Sequence, residues 1–209
     1  NQIWSRLVGS EMCIRDSNLS IRALENNNYT TDEEIYFSAL LEKKKLNYTK
    51  SLEILKGLEK KYPDNLIIKT SIAEIYTESG NVGKSKKYTQ DLLDISLGNY
   101  PLSYNLANAY ILEEDYIAAE QILEDIKFYR PVDISLLKDL SEVQLKSNNL
   151  LGFHLTNSEY LFYSGRYEEA LRDLQQARAL STNNFKIREI ITERILILQS
   201  YVRSQRTRS

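Results

Sequence analysis

A single histidine and a few acid pairs are the residues of this chain able to do proton or metal chemistry. His154 is followed by Glu159 five positions on, and residues five apart on a helix do not share a face, so the two cannot act as a local acid/base pair. One imidazole cannot build a site that needs two, which excludes the HExxH arrangement of zinc peptidases. The lone Cys13 offers neither an internal disulfide nor a CxxC pair. Glu33 with Glu34, Glu113 with Glu114 and Glu168 with Glu169 are of the type used in general acid/base catalysis. They fall at helix N-termini or in loops, where the helix macrodipole and hydration account for them. No GxSxG, Walker-type or GxGxxG loop is present. His154 therefore reads as a packing or capping residue at a hairpin junction. The chain reads as one without catalytic residues, metal ligands or a cofactor of its own.

Binding chemistry is better represented. Fifteen tyrosines could form a stacking surface for peptides or bases. Tyr48, Tyr76, Tyr110, Tyr116 and Tyr167 are claimed by packing positions, which leaves Tyr36, Tyr104 and Tyr100 as candidate binding residues. The lysine clusters at 43–45 and 84–87 read as solvated helix faces. Lys+Arg 27 against Asp+Glu 29 gives a net charge of -2, which argues against a nucleic-acid or anionic-surface binder. No apolar run reaches the length that spans a bilayer, so direct membrane insertion is not expected.

The elements that must position these residues are helices. Seven Gly and three Pro in 209 residues leave too little turn chemistry for an all-β fold. Tyr48, Val82, Tyr116 and Leu150 recur at one constant spacing, and Ser51, Ser85, Ala119 and Phe153 follow them three positions on. The period, about 34 residues, is that of stacked helix pairs. Within each repeat a small residue lies beside an apolar one: Ala39 with Leu40, Ala73 with Ile72, Ala107 with Leu106, Ser141 with Leu140. Small side chains there let two helices of a hairpin cross closely. Pro63 and Pro131 end helices, and Gly80 and Gly165 sit between them. Residues 100–131 match the tetratricopeptide pattern at Leu106, Ala107, Tyr110, Tyr116, Ala119 and Pro131, so the chain resembles a tetratricopeptide repeat protein. The expected fold is all-α, with antiparallel helix hairpins stacked into a right-handed α-solenoid.

The register slips once. Leu150 to Tyr167 is half a period, so one helix over about 150–163 must serve two successive hairpins. The expected organisation is repeats at about 32–65, 66–99, 100–133, 134–164 and 166–183, preceded by a leading helix or linker over 18–31. A closing helix over 184–203 presents Ile187, Ile190, Ile191, Ile195 and Leu198 on one face to cap the array, and 204–209 form a tail. Residues 1–17 are foreign in composition, holding the chain's one Trp, Met and Cys at Trp4, Met12 and Cys13. The stretch VGSEMCIRDS resembles a translated sequencing adapter, and the chain starts with Asn. The authentic N-terminus, with any signal or upstream domain, is therefore expected to be missing.

From His154 through Glu159, Tyr160, Gly165, Arg166 and Tyr167, and on to Phe185, Arg188, Glu193, Arg194 and Leu196, the C-terminal half resembles one peptidase family. This is the C-terminal region of the β-barrel assembly-enhancing zinc metallopeptidases of the bacterial periplasm. The resemblance covers roughly residues 35–200 and implies a docking domain joined, in the family, to an HExxH catalytic domain absent here. It implies a periplasmic location, partners among outer-membrane β-barrel assembly components, and zinc only in the companion domain. The alternative reading is a free-standing tetratricopeptide adaptor or lipoprotein with no enzyme attached.

In either case the first helix of each hairpin would line a concave groove. The inward positions are Tyr36, Leu40 and Lys43; Thr70, Glu74 and Thr77; Tyr104, Asn108 and Ile111; and Lys138, Glu142 and Leu145. Such a mixture of aromatic, apolar and both charge signs fits a protein or extended peptide segment and not a nucleic acid. With Leu40, Glu74, Asn108 and Glu142 at the clamp positions, the terminal-carboxylate clamp of chaperone-binding relatives is not reproduced.

Overall fold

The computed structural model describes residues 31–182 and 184–206. The adapter-like segment and most of the leading segment thus lie outside the described residues. Among the described residues there are ten helices and no strand, the all-α class expected. In chain order they are α1 (Asp32–Lys44), α2 (Tyr48–Lys61), α3 (Leu66–Glu78), α4 (Val82–Ile95), α5 (Tyr100–Leu112), α6 (Tyr116–Tyr129), α7 (Ile134–Lys146), α8 (Leu150–Tyr163), α9 (Tyr167–Leu180) and α10 (Phe185–Arg206).

The helix starts are written into the sequence by their caps. Each first helix is preceded by a side chain that accepts a backbone N–H of its opening turn: Thr31, Asn65, Asn99 and Asp133, one repeat period apart. At Thr31 the cap is a full capping box, with Glu34 reaching back to the Thr31 N–H. Asn184 caps α10 in the same way, its Oδ1 accepting from Ile187 N–H at 3.1 Å.

The turns within hairpins repeat as well. After α1 the chain closes with Leu46 N–H donating to Lys43 O at 2.9 Å and Asn47 N–H to Glu42 O at 2.8 Å. This is the paired bonding of a Schellman ending. It needs a left-handed residue, supplied by Leu46 (φ 64), Gly80 (φ 78), Glu114 (φ 60), Asn148 (φ 64) and Gly165 (φ 76). Only two of the five are glycines, so three turns carry an L side chain in a conformation that disfavours it.

Two compact units divide between Gly80 and Asn81. In the first, α1 packs on α2 and α2 on α3, and Ser51 Oγ donates to Ala39 O at 2.6 Å at the close crossing of α1 and α2. The fully buried apolar residues there include Leu55, Ile68, Ile72, Ala73 and Ile75. One repeat period before Ile72 stands Ser38, which is buried, whereas Leu40 is only partly covered. The apolar residue beside Ala39 thus lies outside the register followed by Ile72, Leu106 and Leu140.

In the second unit one core is built by Ala107, Ala119, Leu123, Ile126, Leu136, Leu140 and Val143, and another by Leu161, Ala170, Leu174, Ala177, Ile191, Ile195 and Leu198. Helix α8 packs against both α7 and α9. The buried triplet of second helices, Leu123 and Ile126 with Ala119, reappears as Leu174 and Ala177 with Ala170, in α9 rather than α8. Helix α10 buries Ile191, Ile195 and Leu198 but leaves Ile190 exposed. Ile190 therefore leaves the expected apolar face: it sits about 100° around the helix from Ile191, while 191, 195 and 198 stay aligned.

Candidate functional site

The proposed groove residues fall in both units. In the first, Tyr36 is buried and its hydroxyl lies 2.8 Å from Ser71 Oγ; burial pushes its pKa up. Thr77 is also buried, donating to Ala73 O at 3.2 Å. Both serve packing: on these short helices a position one turn from the open face still touches the neighbouring helix. Lys43 lies 2.8 Å from Glu74 and 2.8 Å from Glu78 with its side chain 17% exposed, so it bridges α1 to α3. Burial pulls its pKa down, but the hydrogen bonds to Glu74 and Glu78 outweigh this and raise it. Leu40 and Thr70 are half-buried.

In the second unit, the Tyr104 ring lies 5.7 Å from that of Tyr100, and Tyr104 and Ile111 both rest against the α5–α7 core. Asn108 is half-buried. On α7 the three positions are open: Lys138 and Glu142 are exposed and 3.9 Å apart, and Leu145 is 50% exposed. Of the twelve positions, these three are the ones least occupied by the fold.

His154 is neither a cap nor close to Glu159. Its Nδ1 lies 2.7 Å from Asp173 Oδ1, and Asn157 donates to Asp173 Oδ2 at 2.5 Å, so the histidine ties α8 to α9. Glu159 instead accepts from Lys127 at 2.9 Å and Arg194 at 2.8 Å, joining α6, α8 and α10. The acid pairs are split among separate tasks: Glu34 closes the capping box, Glu113 pairs with Lys86, and Glu169 pairs with Arg166. The lysine clusters are not uniformly solvated. Lys43 is held as described, and Lys86 pairs with Glu113 and sits 4.8 Å over the Tyr110 ring, because the fold brings a complementary group from elsewhere in the chain to each. Among the described residues no group of three or more His, Cys, Asp or Glu is placed to hold a metal ion. No described helix is long and apolar enough to cross a membrane.

Three polar arrangements between helices, the first of them buried, escape sequence reading. Asn105 donates to Ser85 Oγ at 3.2 Å and Thr89 Oγ1 at 3.1 Å inside the α4–α5 contact. Gln144 donates to Glu124 at 2.7 Å while its own Oε1 is buried without a partner. Ser147 and Asn149 both donate to Glu120, each at 2.5 Å. Only the periodic recurrence of Asn and Asp at caps was available as a signal, and it marks Asn149 alone.

No protein-family profile matches the chain, and no curated protein sequence matches it. Solved structures do. A tetratricopeptide repeat protein from Parabacteroides merdae superposes with a TM-score of 0.56 at 13% identity, covering 88% of this chain and 80% of that one. MamA from Desulfovibrio magneticus superposes with a TM-score of 0.57 at 12% identity, covering 84% and 98%. A chain of the Naa15/Naa10 complex bound to HypK-THB gives 0.53 at 14% identity, covering 74% of this chain and 26% of that one. The fold is of the tetratricopeptide type.

Proposed function

We propose that this chain is a protein-interaction module that holds an extended polypeptide segment on the open face of α7 in its second unit. The observation that carries this reading is α7, where Lys138, Glu142 and Leu145 stand exposed although the opposite side of the helix is packed with Leu136, Leu137 and Leu140. An apolar side chain flanked by both charge signs suits a mixed polypeptide and not a polyanion. That one solved relative of the fold is a complex with HypK-THB supports a protein ligand. The test is a panel of extended peptides, including terminal strands of outer-membrane β-barrels, titrated against the full chain. Binding should weaken at least tenfold in Leu145→Asp and Lys138→Glu without a change in melting temperature. A panel with no binder, or binders indifferent to both substitutions, defeats the reading.

The finer reading is that the module is the docking part of a periplasmic zinc metallopeptidase of outer-membrane quality control, with zinc held only in the companion domain. It is supported by the His154-to-Tyr167 segment and the closing helix. A free-standing adaptor or lipoprotein with no enzyme attached is the second reading, and the repeat fold shared with the solved MamA chain suits it equally. Sequencing the source locus upstream of residue 18 separates them. An HExxH-bearing domain in frame supports the peptidase, and a lipobox or signal peptide directly ahead supports the adaptor.

A further inference from the structure

Two aromatic pairs occupy the same place one repeat apart: Phe128–Tyr129 at the end of α6 and Phe162–Tyr163 at the end of α8. In each the rings meet edge to face, with centroids 5.2 and 5.4 Å apart. Their surroundings differ. Phe162 is covered from within the chain, by Tyr201 of α10 at 5.4 Å and Tyr167 at 5.5 Å. Phe128 and Tyr129 are each 80% exposed, beside Leu97 at 90%, along a cleft of about 870 Å³ formed by α4, the start of α5 and the end of α6. Exposed apolar clusters of this kind mark interaction sites. The cleft also carries Asp125 and Arg130, neither in an ion pair among the described residues, and Arg130 stacks 4.2 Å over the Tyr100 ring.

We propose that this cleft docks one amphipathic helix of a partner protein, presenting an aromatic side chain to Phe128 as α10 presents Tyr201 to Phe162. The repeat itself shows the kind of cover such a Phe–Tyr pair takes. Asp125 and Arg130 favour a helix with one residue of each charge beside its aromatic, since neither has an ion-pair partner among the described residues. Lys138, Glu142 and Leu145 are not among the residues that line the cleft, so the proposal does not depend on the groove.

The probe is a labelled peptide spanning residues 185–203, which carries Tyr201, titrated into the full chain by fluorescence anisotropy. Saturable binding is expected, weakened at least tenfold by Phe128→Glu or Tyr129→Glu in the chain and by Tyr201→Ala in the peptide. Leu145→Asp should leave it unchanged, which separates this site from the groove. Both aromatics are solvent-facing, so the variants should melt as the parent does. The proposal is overturned by absence of saturable binding, or by binding that ignores Phe128→Glu, which would mean the peptide displaces the chain's own α10. A dimer in sedimentation that Phe128→Glu dissociates would overturn it in favour of a second copy as occupant.

Discussion

Two copies of the left-handed turn position lie in the same unit with opposite chemistry, Glu114 at φ 60 and Gly165 at φ 76. Holding an L side chain there costs roughly 1–2 kcal/mol. Changing it to glycine gives back about 0.4–1 kcal/mol through the looser unfolded chain. Glu114 is exposed, so little burial is lost. Glu114→Gly should therefore stabilise the unit by roughly 0.5–1 kcal/mol. A Cβ at Gly165 would meet nothing within 4 Å, so Gly165→Ala tests the conformational cost alone and should destabilise by the same amount. With a urea slope of about 2 kcal/mol/M, the midpoints should move by about 0.3–0.5 M in opposite directions. Urea titration followed by circular dichroism reads both. Midpoints that move the same way, or a Gly165→Ala variant indistinguishable from the parent, would refute the turn energetics.

Ala119 is fully buried at the crossing with Ala107 and Leu136, so Ala119→Leu should cost roughly 1–3 kcal/mol by overpacking; an unchanged denaturation midpoint would contradict the helix register. Burial raises the pKa of Glu124, and a neutral group there can donate to the orphaned Gln144 Oε1. Glu124→Gln should therefore raise the melting temperature at neutral pH. That gap should close as pH falls through the raised native-state value, because the parent's carboxyl then becomes neutral too; a gap constant from pH 7 to pH 4 would dismiss the explanation. Lys43 is raised by Glu74 and Glu78 against its burial. Its stabilisation is complete below the ordinary lysine value of about 10.4 and is lost as pH rises through the higher native value. Lys43→Met should flatten the alkaline fall in stability of the first unit, as followed by hydrogen exchange in α1 and α3, and an unchanged fall would rule the bridge out as its source.

The all-helical hairpin fold is legible because its signals are local and repeated: apolar positions at helical spacing, small residues at the crossing, and recurrence at one fixed period. The cap series Thr31, Asn65, Asn99 and Asp133 carries the same period and was equally readable. The left-handed turns were not, since Leu46 and Glu114 have side chains that give no hint of positive φ. Tyr36 and Thr77 show the limit at the site. Helical phase placed them near an open face, but coverage depends on the neighbouring helix, which no single-helix pattern contains. Lys43 and Lys86 escaped for the same reason, their partners lying 31 and 27 residues away. Asn105 is buried because Ser85 and Thr89 happen to face it from α4.

Short turns join α7, α8 and α9, so neighbours along this run point in alternating directions. Helix α9, with the burial pattern of a second helix, therefore points the way first helices point. From α9 onward in the second unit, burial pattern and chain direction are thus paired the opposite way from α5 to α7. The segment 150–166, helix α8 with the turn that follows it, is the whole of this inversion. Excising it would set Asn149 directly before Tyr167, giving α9 to α7 as an in-phase partner and leaving an array of one polarity.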